Sequence, residues 1–386
     1  MKTNSSRRDF LSAGMALPAA GLWGLSDNSP QIVPGVPRQL KLESRTLGKT
    51  GLKVTTVGFG CMITSDPSVI ERAADIGINY FDTARGYQGG NNERMVGAAL
   101  KRKRKDIVLS TKSGSGSKQG ALNDLETSLR ELGTDYVDIW YLHGLSSPAD
   151  VTGELREAQQ VAKQQGKIRF SGVSTHSGQR ELLPWLAETR AVDVVLVAYN
   201  FTMDLGMEAA IEVAGKAGLG VVGMKVMAGG FRKIRPTDPL APKLKQEGAM
   251  LAALKWVIKN PYVHTTIPSM TDMDQLDENL RAMQESFGTA EERLLARQLE
   301  FISPLYCRMC GQCEAACAKG LPVADILRYL SYAEGYGQFA LGREEFLKLG
   351  SDVAAVRCGD CERCTVNCPF GVEVSTRLSR AQEMFA

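Results

Sequence analysis

The chain has almost no charge imbalance: 46 lysines and arginines stand against 43 aspartates and glutamates, a formal net charge of +3 over 386 residues. So small a surplus gives no electrostatic drive toward nucleic acid or an anionic bilayer. A long hydrophobic run is also missing, since the longest apolar-leaning stretch, residues 10–25, is too short and too broken by glycine and proline to span a membrane. Cysteine is nearly absent before residue 307: Cys61 stands alone there, and the other eight of nine lie between Cys307 and Cys368. That segregation divides the chain into two differently built parts. Hydrophobic residues make up 44%, which excludes disorder as the main state and, at this length, fits two or three domains. Partners are therefore to be sought through small-molecule chemistry.

Residues 1–38 read as an address followed by a linker. Ser6-Arg7-Arg8-Asp9-Phe10-Leu11 and the weakly apolar run to Leu25 resemble a twin-arginine export signal, the type that carries folded proteins. A disordered basic tail is the plainer alternative. No clean A-x-A cleavage site follows, so an uncleaved anchor, the one membrane attachment the sequence allows, stays open. Residues 26–38 are rich in proline and poor in large apolar side chains, as a linker is.

Beyond the linker, β-branched or aromatic runs alternate with segments of helical period. Strands are expected at 54–60, 78–84, 107–112, 136–143, 168–175, 192–200, 219–226 and 263–268. Helices are expected at 68–77, 92–102, 122–133, 153–165, 179–189, 205–218, 249–259 and 273–283. Eight such units predict an α/β fold, a (β/α)8 TIM barrel over residues 39–288. A doubly wound sheet is the runner-up, but no G-x-G-x-x-G follows the first strand. Barrel enzymes work at the C-terminal strand ends and the loops behind them, which here carry Cys61, Asp82, Lys112, His143, Ser174, Asn200, Lys225 and Ser269, with Tyr87 after the second strand. Asp82, Tyr87, Lys112 and His143 make a coherent acid site. A tyrosine titrates too high to be an efficient proton donor at neutral pH, and the Lys112 ammonium is expected to lower it. Asp82 would hold that lysine charged, and His143 could donate to a substrate oxygen. Cys61 is read as a small core residue, and the basic run at 101–105 as a solvated helix end beside the negative pole of its dipole.

Several separated motifs then agree with one family. Residues 47–54 (LGKTGLKV), Asn79-Tyr80-Phe81-Asp82-Thr83-Ala84-x-x-Tyr87 with Asn92-Glu93, Ser110-Thr111-Lys112, Asp138-x-x-Tyr141-Leu142-His143 and Gly172-Val173-Ser174 resemble the aldo-keto reductases over roughly residues 43–283. The resemblance implies a nicotinamide-dependent carbonyl reductase or alcohol dehydrogenase with Asp82, Tyr87, Lys112 and His143 as its catalytic tetrad and Tyr87 as general acid. It implies that Ser174, Asn200, Met224 and Lys225 lie at the nicotinamide and Ser269, Gln275, Glu278 and Asn279 toward the adenosine. Two departures stand out. Where the family has a stacking aromatic at the end of the seventh strand, this chain has Met224-Lys225-Val226. Residues 268–280 contain no lysine or arginine for a 2′-phosphate but do contain Asp272 and Asp274, so NAD is expected over NADP.

The cysteines form an internal repeat. Cys307-x2-Cys310-x2-Cys313-x3-Cys317 recurs, displaced by 51 residues, as Cys358-x2-Cys361-x2-Cys364-x3-Cys368, with Pro369 following the second copy. This is the run of bacterial two-cluster ferredoxins, in which the fourth cysteine of each run reaches the other cluster. Cys307, Cys310, Cys313 and Cys368 are thus expected on one [4Fe-4S] cluster, and Cys358, Cys361, Cys364 and Cys317 on the second. Zinc and structural disulfides are the alternatives. A helical insert over 326–356 makes residues 289–386 resemble the helical ferredoxins. The chain as a whole reads as an exported or membrane-associated oxidoreductase acting on a carbonyl or alcohol, with room for an electron-transfer partner. The competing readings are an electron-transfer or structural protein whose barrel is a scaffold, and an enzyme whose clusters are structural.

Export carries a consequence for cofactor use. Free nicotinamide nucleotide is scarce outside the cytoplasm, so an exported barrel must carry its nucleotide bound. The protein should fractionate to the periplasm and keep its nucleotide through dialysis, whereas Arg7→Lys with Arg8→Lys should strand active, loaded protein in the cytoplasm. Native protein found in the cytoplasm and purified empty would end this expectation.

Overall fold

The structure is a computed structural model, and it describes residues 42–230, 237, 241–244, 246–313 and 315–386. The export-signal and linker segments lie outside the described residues. The alternating pattern becomes eight short strands: β1 (Phe59–Gly60), β2 (Tyr80–Asp82), β3 (Val108–Ser113), β4 (Val137–Leu142), β5 (Ile168–Thr175), β6 (Val194–Ala198), β7 (Gly220–Met224) and β8 (Thr265–Thr266). Each pairs in parallel with the next. The ring is closed by main-chain bonds between its ends, Gly58 N–H to the Thr266 carbonyl at 2.7 Å and Gly60 N–H to the Pro268 carbonyl at 3.0 Å. This is the expected (β/α)8 architecture.

Helices α1 (Pro67–Ile76), α2 (Asn91–Leu100), α3 (Lys118–Leu132), α4 (Gly153–Gln164), α5 (Gln179–Thr189), α6 (Leu205–Ala217), the short α7 (Ala241–Leu244), α8 (Ala249–Lys259) and α9 (Met273–Arg281) surround it. Their limits follow from capping chemistry. Asp66 caps α1 ahead of Pro67, Ser117 caps α3 and Asp204 caps α6, while Gly77, Gly133 and Gly218 end those helices in the left-handed region. The apolar stripes of these helices and the outer strand faces bury one annular core, including Ile70, Val96, Leu125, Trp140, Leu182, Val195, Ile211 and Leu254. Inside the ring, Tyr80, Val108, Ile139, Tyr141, Leu196 and Val222 fill the barrel, with the Tyr80 and Tyr141 hydroxyls bonded at 2.8 Å. The barrel is packed solid below its mouth.

The first strand is shorter than its sequence run. Lys53–Thr55 pairs instead with Ser44–Thr46 in an antiparallel hairpin, whose turn buries Leu47 and brings Gly48 against the start of β7. At φ +52°, with the Gly220 nitrogen 2.4 Å from where a Cβ would stand, only glycine fits there. The basic run also departs from a purely solvated helix end. Arg104 is drawn inward, donating to Asp138 at 2.9 Å and stacking 4.0 Å over the Tyr136 ring.

The C-terminal part begins with α10 (Thr289–Ile302), whose Leu295 and Ile302 join the inner barrel cluster together with Tyr306. After the first cysteine run come α11 (Val323–Glu334), α12 (Phe339–Leu347) and α13 (Ser351–Ala355), and after the second, α14 (Val374–Phe385). Their core is small and separate, built on Ile326, Leu330, Phe346, Leu378 and Phe385. Thr365 ties the two cysteine runs together, donating to the Ala316 carbonyl at 2.7 Å and accepting from Ala318 N–H at 3.1 Å, and Arg308 stacks 4.3 Å over Phe370. The insert comes down on the barrel mouth. At Gly335, which ends α11, a Cβ would stand 2.1 Å from the Gly229 carbonyl in the loop after β7, so backbone meets backbone at that seam. Among the described residues no helix is long and apolar enough to cross a membrane.

Candidate active site and cysteine centres

Strand register puts three of the four expected acid-site residues side by side. Asp82 ends β2 opposite Ser110, Lys112 lies on β3 opposite Tyr141, and His143 follows β4. Tyr87 opens a short 3-10 turn behind β2. The rim is braced by residues from the same motif: Thr83 Oγ1 donates to Asn92 at 2.6 Å, Asn92 Nδ2 to the Cys61 carbonyl at 2.8 Å, and Thr111 Oγ1 to the buried Glu93 at 2.6 Å. Arg85 pairs with the other oxygen of Glu93.

Lys112 is the hub. Its buried Nζ donates to Asp82 Oδ2 at 2.5 Å, to the Thr83 carbonyl at 2.7 Å and to Tyr87 Oη at 3.2 Å. Asp82 takes a second bond from Ser110 Oγ at 2.7 Å. Burial pushes the Asp82 carboxyl up and the Lys112 ammonium down, and each partner's charge works against that drift. The expectation that Lys112 would draw Tyr87 below its ordinary value is corrected here. Burial drives Tyr87 well above it, with the charge of Asp82 adding to the rise. Without substrate the phenol keeps its proton. His143 lies edge-on to Tyr87, ring centroids 6.1 Å apart, with His176 behind it at 6.4 Å. Burial, then Lys112, Arg328 and Lys225, bring His143 down to about 3. It is a neutral imidazole, able to donate one hydrogen bond without adding charge.

These groups open into a cavity of about 580 Å³ that runs from Asp82, Tyr87 and His143 past Met224 and Lys225 to Ser269 and Gln275. Ser174 and Asn200 do not line it. Ser174 Oγ accepts from Gly144 N–H at 3.0 Å. The Asn200 amide is occupied by the Lys225 carbonyl, Tyr306 Oη and Thr202. Both act in this state as braces of the loops after β4 and β7. Gln275 folds back on Thr271 and on Asp272, the N-cap of α9. Asn279 is fully buried with neither side-chain nitrogen nor oxygen bonded, while Glu278 is half-exposed on the same helix. Cys61 is buried in the core, its thiol held protonated.

One wall of the cavity was not foreseen. Arg328, Tyr332, Tyr336 and Glu345, all from the insert between the cysteine runs, line it opposite the barrel residues. Tyr332 and Tyr336 stack at 5.7 Å beside Lys225, where the barrel itself has no aromatic. Tyr329 and Tyr332 lie one turn apart on α11, and Tyr336 follows just past its end. The sequence showed a helical insert but not these side chains or what they would meet.

The structure brings the eight cysteines into two crossed groups. Cys317, Cys358, Cys361 and Cys364 line one cavity of about 360 Å³. The Cys307 thiol, pushed up to about 12 mainly by burial, has Cys313, Cys310 and Cys368 as neighbours. None of the nine cysteines is in a disulfide. Among the described residues no three His, Cys, Asp or Glu side chains converge on a single ion; the thiols surround a space instead.

Comparison with known proteins agrees with both halves. The aldo/keto reductase family matches residues 65–295, more than half of the chain, and a 4Fe-4S dicluster domain matches residues 303–372. An uncharacterized oxidoreductase of Bacillus subtilis, YqkF, is 27% identical over 65% of this chain and 94% of its own. L-galactose dehydrogenase of Arabidopsis thaliana is 28% identical over 66% of this chain and 92% of its own. Among solved structures, an aldo-keto reductase from Bacillus halodurans (AKR11C1, holo form) superposes with a TM-score of 0.57 at 28% identity, covering 67% of this chain and 96% of that one.

The electrostatics of the mouth predict a measurable absence. The chain's three histidines, His143, His176 and His264, are all held below the ordinary imidazole value of 6.5, chiefly by burial. For His143 the neutral form stabilises the fold above that value, and the contribution is lost as pH falls from 6.5 toward about 3. An NMR pH series should therefore show His143, assigned through His143→Gln, unchanged from about pH 8 to 6. A midpoint near the ordinary value would mean that the cavity wall leaves the ring wet.

Proposed function

Because this chain belongs to the aldo/keto reductase family and carries a 4Fe-4S dicluster domain, we propose that it is a nicotinamide-dependent oxidoreductase interconverting a carbonyl and an alcohol, with Tyr87 as general acid and base. The observation that supports this most directly is the Lys112 ammonium, bonded at once to Asp82 and to the Tyr87 hydroxyl at the floor of the mouth cavity. A scaffold has no use for a buried charge pair aimed at a phenol, since burying two ions costs free energy. The cavity and α9 suit a dinucleotide. The space extends from Tyr87 past Ser269 to Thr271 and Gln275, long enough for an extended nucleotide beside the start of α9. Asp272 at the N-cap of α9 and the absence of lysine and arginine at 268–280 favour NAD over NADP.

The bound nucleotide would supply the hydride in reduction and take it back in oxidation. The chain's own groups handle the oxygen. A substrate carbonyl oxygen between Tyr87 Oη and the neutral His143 imidazole receives hydrogen bonds from both, and charge developing on it is stabilised in a site shielded from water. Tyr87 passes its proton to that oxygen, and Lys112, 3.2 Å away, stabilises the phenolate left behind. Asp82 and the Thr83 carbonyl keep the ammonium in position. In oxidation the same phenolate accepts the proton.

We also propose that the cysteines hold two [4Fe-4S] clusters, Cys307, Cys310, Cys313 and Cys368 on one and Cys358, Cys361, Cys364 and Cys317 on the other. The crossed grouping around the 360 Å³ cavity and around Cys307 supports this pairing. Such clusters would let the domain exchange single electrons with a partner. The twin-arginine address remains a proposal from the sequence.

Tyr87→Phe should lower carbonyl reduction by about 10² to 10⁴ while nucleotide still binds, because only the proton donor is lost. Steady-state rates together with fluorescence titration of NADH and NADPH read both points. Near wild-type turnover would remove Tyr87 from the mechanism, and NADPH binding tenfold tighter than NADH would reverse the nucleotide preference.

Electron paramagnetic resonance of the dithionite-reduced protein should show two interacting clusters. Cys317→Ser should damage the cluster held by the second cysteine run, and Cys310→Ser the other. If both variants lost the same cluster, each run would be serving its own.

A further inference from the structure

The wall that α11 lays over the barrel mouth is cationic where it faces the acid site. Lys225 Nζ donates to Tyr332 Oη at 3.0 Å and lies 4.2 Å from the centre of that ring. Arg328 Nη1 donates to the same oxygen at 3.3 Å, while its Nη2 reaches Asp325 at 2.5 Å and Tyr329 Oη at 3.3 Å. Two cationic donors thus converge on one phenol. That uses both lone pairs of the oxygen and leaves its own O–H free to donate. The negative charge nearby is incomplete: Asp325 is about half exposed at the outer edge, and Glu345 is tied to Lys348 at 2.8 Å. Among the described residues no carboxylate pairs with Lys225. Its backbone sits at φ +56°, in a region that non-glycine residues seldom occupy and that tends to mark functional positions.

We propose that Lys225, Arg328 and Tyr332 receive an anionic oxygen group, the carboxylate of a carbonyl or alcohol substrate whose reacting carbon sits between Tyr87 and His143. The inference rests on the oxidoreductase reading above and names its substrate class. Three features support it. The cluster borders the reacting groups, since Arg328 and Lys225 act on His143 and Tyr332 acts on Tyr87. It lies in the same cavity as both. Although burial raises the Tyr332 hydroxyl, Lys225 and Arg328 outweigh it and hold that group below its ordinary value, so the wall draws negative charge to itself. The dinucleotide's pyrophosphate is the other source of such an anion, because the 267–279 segment expected at the adenosine end starts beside β7, where Ile267 N–H donates to the Gly223 carbonyl at 2.9 Å, and the test separates the two.

The test compares 4-carboxybenzaldehyde with 4-methylbenzaldehyde, matched in size and different in charge. With NADH and full-length protein carrying its clusters, the wild type should favour the carboxylate in kcat/KM. Arg328→Gln and Lys225→Gln should each cut that preference by about 10- to 100-fold, the scale of a charge-assisted hydrogen bond, and Arg328→Lys should restore part of it. An unchanged preference overturns the proposal. Equal loss on both aldehydes with a raised KM for NADH also overturns it and gives the cations to the pyrophosphate. If neither aldehyde is reduced, the catalytic reading is at fault, and calorimetric binding of benzoate decides the subsite alone. Binding by the wild type that is lost in Arg328→Gln upholds it, and equal binding, or none by the wild type, removes it. An unaltered cluster absorption spectrum establishes that each variant is folded.

Discussion

The mouth of the barrel depends on how two cysteine runs, 51 residues apart, interlock. Thr365 and Arg308 pin one run to the other, and each thiol group draws on both. Once the ends of the intervening segment are held together, α11 to α13 have to project as a compact helical excursion, and the seam of Gly335 with Gly229 sets where it lands. The core of this part is small and separate from the barrel's. Cross-linking through bound clusters would support it by restricting the unfolded chain. The cavity wall made by Arg328, Tyr332 and Tyr336 is thus only as well placed as the cysteine framework beneath it.

A second constraint acts inside the barrel. The buried Lys112 and Asp82 pair survives because every polar atom has a fixed partner: Ser110 for the carboxylate, the Thr83 carbonyl and Tyr87 for the ammonium. Strand register, which sets Asp82 opposite Ser110 and Lys112 opposite Tyr141, supplies that geometry without adjustable loops. Tyr87 alone comes from a turn, the one containing Gln88 in a left-handed conformation. The phenol is therefore held by the hydrogen bond to Lys112 as much as by its backbone.

Much of this was legible in the sequence, for identifiable reasons. Strand-helix alternation is a local signal, and α5 and α8 fall at the bounds their periodicity gives, although neither has a side-chain N-cap. The tetrad positions could be read because a barrel sends strand-end residues to one rim. What could not be read depends on contacts across the chain. Lys53–Thr55 looks like the start of β1 but is taken by a hairpin partner. Ser174 and Asn200 lie at the rim, yet their side chains are turned to Gly144 and Tyr306. The proton affinity of Tyr87 could not be read because it depends on burial and on the charge of Asp82. Above all, the aromatic rings beside the end of β7 are Tyr332 and Tyr336, more than a hundred residues downstream, and no local pattern links them to Lys225.

That placement bears on what the cysteine domain is for. A hydride carries two electrons and a [4Fe-4S] cluster accepts one, so direct relay from a nicotinamide would need a group that splits the pair, and the sequence carries no flavin motif. The architecture gives the clusters another use that needs no such group. Tyr306 precedes Cys307 and receives a hydrogen bond from Asn200, which in turn holds the carbonyl of Lys225. Lys225 then meets Tyr332 from the insert between the cysteine runs. One continuous chain of contacts therefore runs from the first cysteine centre, through the end of β7, to the insert, and back to the second centre. Loosening either centre would shift the cationic wall against the tetrad whether or not an electron moved. On this reading the cysteine domain acts on catalysis first through position.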